Sequence, residues 1–89
     1  MGQAIYPMTI FYDASCPLCN AEMHNLMLRN TEDLLQFVDA SGAGFESPLQ
    51  GVTQADLMNL IHARCADGRV VKGVEVFRLA YGAVGMGWL

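Results

Sequence analysis

The chain has few charged residues, few basic ones, no long apolar run and too few cysteines for a disulfide scaffold. Charged residues make up 16% of the 89 positions, and five Lys and Arg against nine Asp and Glu leave a net charge of −4. Nucleic-acid binding is not expected, because it needs a clustered basic surface. Glu75 and Arg78 interrupt the apolar C-terminal segment, so no apolar run reaches the roughly 18–20 residues of a membrane span. Neither a nucleic acid nor a membrane is expected as a partner.

The cysteine count and the N-terminal residues indicate the compartment. Three cysteines is an odd and low number, whereas a secreted domain of this size usually carries an even and denser set. The first residues, MGQAIYPM, contain neither a basic region nor a long apolar core, so they do not resemble a signal peptide. The sequence therefore predicts a cytoplasmic protein.

Hydrophobic residues are plentiful, at 53% of the chain, which predicts a folded protein rather than a disordered one. The sequence shows no internal repeat, low-complexity tract or linker. Residues 1–89 are therefore expected to form a single small domain, which buries about 60–65% of its unfolded surface around one core.

The spacing of apolar residues predicts seven secondary-structure elements. Strands are expected at 8–12, 34–38, 60–66 and 69–72, and helices at 17–30, from 54 to about 60 and at 74–81. Thr53 is expected to cap the second helix, although Asp56 stands where a capping box prefers glutamate. The order is β-α-β followed by α-β-β-α. Because the first unit joins parallel strands and the hairpin adds antiparallel ones, this order predicts an α/β protein with a mixed sheet of about four strands.

Two local details of this arrangement are also expected. Asp67-Gly68 between the last two strands is typical of a type I′ hairpin turn, which needs a positive φ at both central residues. In the last helix the apolar face is expected to carry Val74, Phe77 and Tyr81, together with Ala80.

Cys16 and Cys19 stand where the first strand gives way to the first helix, in the segment TIFYDASCPLCNAEM at 9–23. Pro17 suits the first helical position, which makes Cys16 the N-cap. The helix dipole then stabilises a thiolate, and helix N-termini lower a cysteine pKa from about 8.5 to roughly 3.5–7.5. Cys19 follows one turn later, where we expect it to be partly covered. The pattern predicts that Cys16 attacks a disulfide and that Cys19 resolves the mixed disulfide.

Two other interpretations of these cysteines remain open. As small hydrophobic side chains they would serve packing alone. As zinc ligands they would need a second pair, for which His62 and Cys65 are the candidates. On a strand, residues three apart face opposite sides of the sheet, which disfavours one shared ion. Either interpretation makes the chain a non-enzymatic binding module with structural or zinc-binding cysteines.

The segment FYDASCPLCNAEM at 11–23 resembles the signature of the DCC family of thiol-disulfide oxidoreductases. Residues 37–39, residues 67–70 and Trp88 are similar to further positions of that family, so the resemblance covers nearly the whole chain. It implies a thioredoxin-like βαβ-αββα fold, with Cys16 and Cys19 as the redox pair. The resemblance does not extend to a glutaredoxin-type glutathione activity, because residues 58–61 lack the proline that most thioredoxin-like enzymes place before the third strand.

Asp13, Pro17 and Glu22 are candidate supporting residues around the two thiols. Asp13 follows the first strand and is expected either to accept a proton or to form an Asx-turn. Its charge would raise the pKa of the Cys16 thiol and so oppose the helix dipole. Glu22 also occurs in the family signature, and it is expected either to relay a proton to Cys19 or to interact with the helix dipole.

Together these patterns predict a small cytoplasmic thiol-disulfide oxidoreductase. Its partners would be a disulfide-bearing protein or a small thiol, together with a reductant that the sequence does not identify. No metal and no organic cofactor is expected to take part.

Overall fold

The computed structural model describes residues 4–86 as a four-stranded mixed sheet with helices on both faces. In chain order the elements are β1 (Met8–Tyr12), α1 (Pro17–Arg29), β2 (Leu35–Asp39), α2 (Gln54–Asn59), β3 (His62–Arg64), β4 (Val70–Lys72) and α3 (Val74–Ala83). The strand order is β2-β1-β3-β4. This confirms the predicted α/β class, and the arrangement is thioredoxin-like. Trp88 lies outside the described residues, and no helix within residues 4–86 is long and apolar enough to span a membrane.

β1 lies at the centre of the sheet, and its side chains alternate between two cores. It pairs in parallel with β2 and antiparallel with β3, which in turn pairs with β4. Met8, Ile10 and Tyr12 point into the main core. There they meet buried side chains of α1 and α3, namely Met23, Leu26, Val76, Leu79 and Ala80. Phe11 points to the opposite face and packs with Ala40, Leu49 and Leu57. The period of two along β1 thus produces both cores.

A capping box starts α2 and holds the long loop before it. The Thr53 side chain accepts a hydrogen bond from the Asp56 N–H at 3.1 Å, and Asp56 accepts one from the Thr53 N–H at 2.9 Å. The aspartate therefore fills the role that glutamate usually has, by satisfying N–H groups at the start of the helix. α2 then covers Phe11 through Leu57.

The hairpin between β3 and β4 is shorter than predicted, and its turn is of a different type. The expected arms at 60–66 and 69–72 reduce to three residues each. Within residues 4–86, Asp33 is the only non-glycine residue with a positive φ. Asp67 therefore has a negative φ and does not adopt the type I′ conformation. The Gly68 N–H donates to the Cys65 carbonyl at 2.9 Å, and Gly68 has φ +92°. This geometry fits a type I turn followed by a glycine bulge.

Of the four apolar positions predicted for α3, Ala80 is the one that the packed helix buries fully. Val76, Leu79 and Ala80 are buried, whereas Val74 is 84% exposed. Phe77 is only half-buried, at the margin of the main core. The helix therefore has two apolar stripes, because its sequence is apolar on more than half of its circumference. One stripe fills the core, and the other, with half-buried Phe77 and Tyr81, lies at the margin of the core beside α1.

Candidate functional site

The candidate site lies at the edge of the sheet where β1 and β2 end. α1 begins there after a short turn, and the connection from α2 to β3 approaches the same point. A small cleft of about 70 Å³ marks this edge, lined by Tyr12, Asp13, Cys19, Met23, Leu57, Met58, Asn59, Leu60, Ile61 and Phe77. Because these residues come from β1, from all three helices and from the connections after β1 and α2, the site depends on the complete fold.

Cys16 is the N-cap of α1, and Pro17 is its first residue. The Cys16 sulfur accepts a hydrogen bond from the Cys19 backbone N–H at 3.4 Å. This bond, together with hydrogen bonds from the Cys19 thiol and the Leu18 N–H, lowers the pKa of Cys16 despite the opposing effects of partial burial and the Asp13 charge. The helix N-terminus thus presents donors to the thiolate, as the N-cap geometry requires.

Cys19 behaves in the opposite way. The hydrogen bond that the Cys19 thiol makes with Cys16 is the largest cause of a raised Cys19 pKa. Desolvation and the charges of Cys16 and Asp13 raise this pKa further. The prediction that Cys19 is the partly covered thiol is wrong, because Cys19 is exposed and Cys16 is the half-buried one. The reason is the N-cap itself, which turns the Cys16 sulfur back over the first helical turn. Cys16 therefore loses its proton before Cys19 does.

Two aspartates hold the turn that leads into Cys16. Asp13 Oδ1 accepts hydrogen bonds from the Ser15 N–H at 2.9 Å and the Ser15 hydroxyl at 2.5 Å, which is an Asx-turn. Asp39 Oδ1 accepts from the Ala14 N–H at 3.2 Å, and also from the N–H and hydroxyl of Ser41. These bonds lower the pKa of Asp39, the Ser41 hydroxyl having the largest effect. The end of β2 is thus tied to the turn that positions the first thiol.

Glu22 connects α1 to α3. Its carboxylate accepts a hydrogen bond from the Tyr81 hydroxyl, and this bond is the main cause of a raised Tyr81 pKa. α1 begins at Pro17, and its first turn contains no acidic residue. The expectation that Glu22 interacts with the helix dipole is therefore wrong, because Glu22 lies one turn too far along the helix.

A second, larger depression lies between α1 and α3 and is called the α1–α3 groove below. It has a volume of about 390 Å³ and is lined by Leu18, Cys19, Glu22, Phe77 and Tyr81. Cys19 lies between this groove and the smaller cleft, since it lines both. Half-buried Phe77 and Tyr81 of α3 supply the aromatic wall.

The described part of the chain contains no set of ligands that would support the zinc interpretation. Between residues 4 and 86, no three His, Cys, Asp or Glu side chains are arranged to hold a metal ion. His62 pairs with Phe11 across the sheet and shares its face, where its Nδ1 lies 2.7 Å from the Leu60 carbonyl oxygen. Cys65 is buried in the main core on the other face. The expected separation of these two residues is therefore confirmed.

Asp39 and Tyr81 are the contributors to the site that sequence reasoning missed. Each acts across a long sequence separation, 25 residues for Asp39 to Ala14 and 59 for Tyr81 to Glu22. The parallel pairing of β1 and β2 was a usable signal for Asp39, because the carboxyl ends of parallel neighbours meet at one edge. Tyr81 gave no comparable signal, since its role depends on how α3 is rotated.

Comparison with known proteins places the chain in a family. The family model described as DCC1-like thiol-disulfide oxidoreductase matches residues 10–89. An uncharacterized chloroplastic protein of Arabidopsis thaliana is 42% identical over 86 residues, which cover 94% of this chain and 40% of that protein. The chain thus spans about two fifths of the length of this relative. No solved structure matches significantly. The chain belongs to the DCC1-like thiol-disulfide oxidoreductase family, as its signature segment and its paired thiols at the start of α1 had indicated.

Proposed function

We propose that the chain exchanges thiols and disulfides, with Cys16 as the nucleophile and Cys19 as the resolving thiol. The Cys16 thiolate attacks one sulfur of a substrate disulfide, whose other sulfur leaves as a thiolate and takes up a proton. Cys19 then gives up its proton and attacks the Cys16 sulfur, which releases the second substrate thiol. The substrate gains two electrons and two protons, and the protein ends with a Cys16–Cys19 disulfide. An external dithiol would restore the reduced form by the reverse exchange.

The observation that carries this proposal is the unequal environment of the two thiols. The Cys16 sulfur accepts the Cys19 N–H at the start of α1, and the pKa of Cys16 falls while that of Cys19 rises. A nucleophile must be ionised before attack, and a resolving thiol is best kept protonated until the mixed disulfide has formed. The different positions of the two thiols on α1 support this division of roles.

The substrate is proposed to be a disulfide-bearing protein or a small disulfide, as the family assignment supports. We propose the cytoplasm from the sequence, because three cysteines are fewer than a small secreted domain usually carries. The Arabidopsis relative is described as chloroplastic.

The pH dependence of thiol alkylation tests the assignment. We expect Cys16 to react with iodoacetamide at a rate that rises with a midpoint below the value of about 8.5 for free cysteine, because only the thiolate reacts. Cys19 should show a midpoint above that of Cys16. Both cysteines lie before Arg29, the first tryptic cleavage site, so tandem mass spectrometry of that one peptide assigns the alkyl group to Cys16 or Cys19. A normal Cys16 midpoint, together with failure to reduce insulin, would favour the non-enzymatic binding module, and bound zinc in the purified protein would favour its metal-binding form.

Asp13→Asn should make Cys16 more reactive at low pH. The Asp13 charge raises the pKa of both thiols, whereas asparagine keeps an oxygen that can accept the Ser15 hydrogen bonds. Removing the charge lowers the Cys16 pKa, so the alkylation midpoint should move to lower pH. Asp67→Asn is the matched control, because Asp67 also accepts a turn N–H, from Arg69 at 3.0 Å, but lies at the opposite edge of the sheet. A midpoint that rises or stays in place in Asp13→Asn would contradict the prediction.

A further inference from the structure

The α1–α3 groove has a side-chain composition suited to a peptide rather than to a small acidic disulfide. Leu18, Phe77 and Tyr81 give it apolar walls, and Leu18 is 79% exposed although it stands between the two cysteines. Val74 lies about one turn before the half-buried Phe77 on α3 and is 84% exposed. Apolar side chains that line one groove and keep part of their surface exposed commonly mark a binding surface. Their position beside Cys19 puts this surface next to the thiols.

The charged groups around the groove are mostly acidic. Glu22 lines it, and Asp13 lies beside Cys19 in the adjoining cleft. The Tyr81 hydroxyl binds Oε1 of Glu22, so the carboxylate is held in place while its other oxygen keeps acceptor capacity.

Two arginines belong to the same pair of helices. Arg78 on α3 is paired with Glu75 at 2.6 Å. Arg29 lies at the last turn of α1. Among the groups that affect the pKa of Tyr81, the Arg29 charge has the smallest effect. The end of the groove next to the thiols is therefore negative, and it becomes more so when Cys16 ionises.

We propose that the α1–α3 groove selects protein disulfides in which an apolar side chain flanks the reacting cysteine and a basic side chain follows closely. The apolar side chain packs between Leu18 and Phe77, and the basic group pairs with Glu22. This inference rests on the proposed function, since it names the substrate class for the same thiols. Small disulfides that carry several carboxylates are disfavoured by the same charges.

Two synthetic peptides that differ in one charged residue test this specificity. Each carries one cysteine, protected as a mixed disulfide with thionitrobenzoate, and a neighbouring leucine. One has lysine nearby and the other has glutamate at that position. Attack of the Cys16 thiolate on the peptide sulfur forms a Cys16–peptide disulfide and releases coloured thionitrobenzoate, so the reduced protein needs no further reagent. We expect the lysine peptide to react about fivefold faster at low salt, as a partly exposed ion pair allows.

Glu22→Gln should remove the preference between the peptides, and high salt should weaken it in the parent protein. Glu32→Gln is the matched control, because Glu32 is an exposed acid in the turn after α1 and its loss changes the net charge equally. Equal rates for the two peptides in the parent, or a preference that survives in Glu22→Gln, would overturn the specificity and leave the exchange reaction intact. Release no faster than in Cys16→Ser with either peptide would overturn the proposed function and this inference with it.

Discussion

Cys16→Ser should lower the rate of insulin disulfide reduction at least about a thousandfold, because a serine hydroxyl at this position supplies no thiolate. Cys19→Ser should have a different effect. Its Cys16 still attacks, but no neighbouring thiol releases the substrate, so a covalent protein–substrate disulfide accumulates after one turnover. The rate of insulin reduction is measured as turnover with a dithiol reductant. The trapped protein–substrate disulfide is detected as a mass increase on a non-reducing gel or by mass spectrometry.

Cys65→Ala is the control for these two variants. Cys65 is 2% exposed and lies in the main core, so its removal should leave the pattern of turnover and trapping as in the parent. The pair assignment fails if Cys16→Ser keeps its exchange activity. It also fails if Cys19→Ser turns over as fast as the parent without forming a trapped intermediate.

Leu26→Ala should reduce the free energy of unfolding by about 2–5 kcal/mol, because it leaves a cavity in the main core. Leu26 is fully buried on the inner face of α1. Small domains have total stabilities of about 5–15 kcal/mol, so this single change removes a large fraction of the total. The measurement is urea denaturation followed by circular dichroism, with the midpoint and slope fitted together.

Leu28→Ala provides the same chemical change in the same helix. Leu28 is 82% exposed, so its replacement should change the free energy of unfolding by about 0.5 kcal/mol or less. Similar losses in the two variants would show that α1 does not pack on the sheet through Leu26. The orientation of α1, and with it the position of both thiols, would then be wrong.

Local patterns predicted those parts of the fold that depend on neighbouring residues. β1 has the predicted bounds, because a run of strand-forming residues is followed at once by turn residues. α1 starts at Pro17 as expected, since proline at the first helical position needs no N–H partner. β2 is displaced by one residue, because its pairing with β1 continues to Asp39.

Features that depend on packing were harder to predict. The apolar positions predicted for α3 included Phe77 but neither Val76 nor Leu79, whereas α3 buries Val76 and Leu79 and leaves Phe77 half-buried beside α1. The first arm of the hairpin was expected to start at residue 60, but the Leu60 N–H donates to the Asp56 carbonyl and ends α2 there. In both cases several apolar residues compete for burial, and tertiary contacts decide between them.

The location of Cys65 has a practical consequence for experiments in solution. Two thiols are accessible to reagents in the native protein, and the third is shielded by the main core. Alkylation of the cysteines that the chain already contains therefore gives a record of unfolding. The number of alkyl groups added per molecule should be two under native conditions and should reach three only in molecules that have opened. Such counting reports global stability in the same sample that reports thiol reactivity.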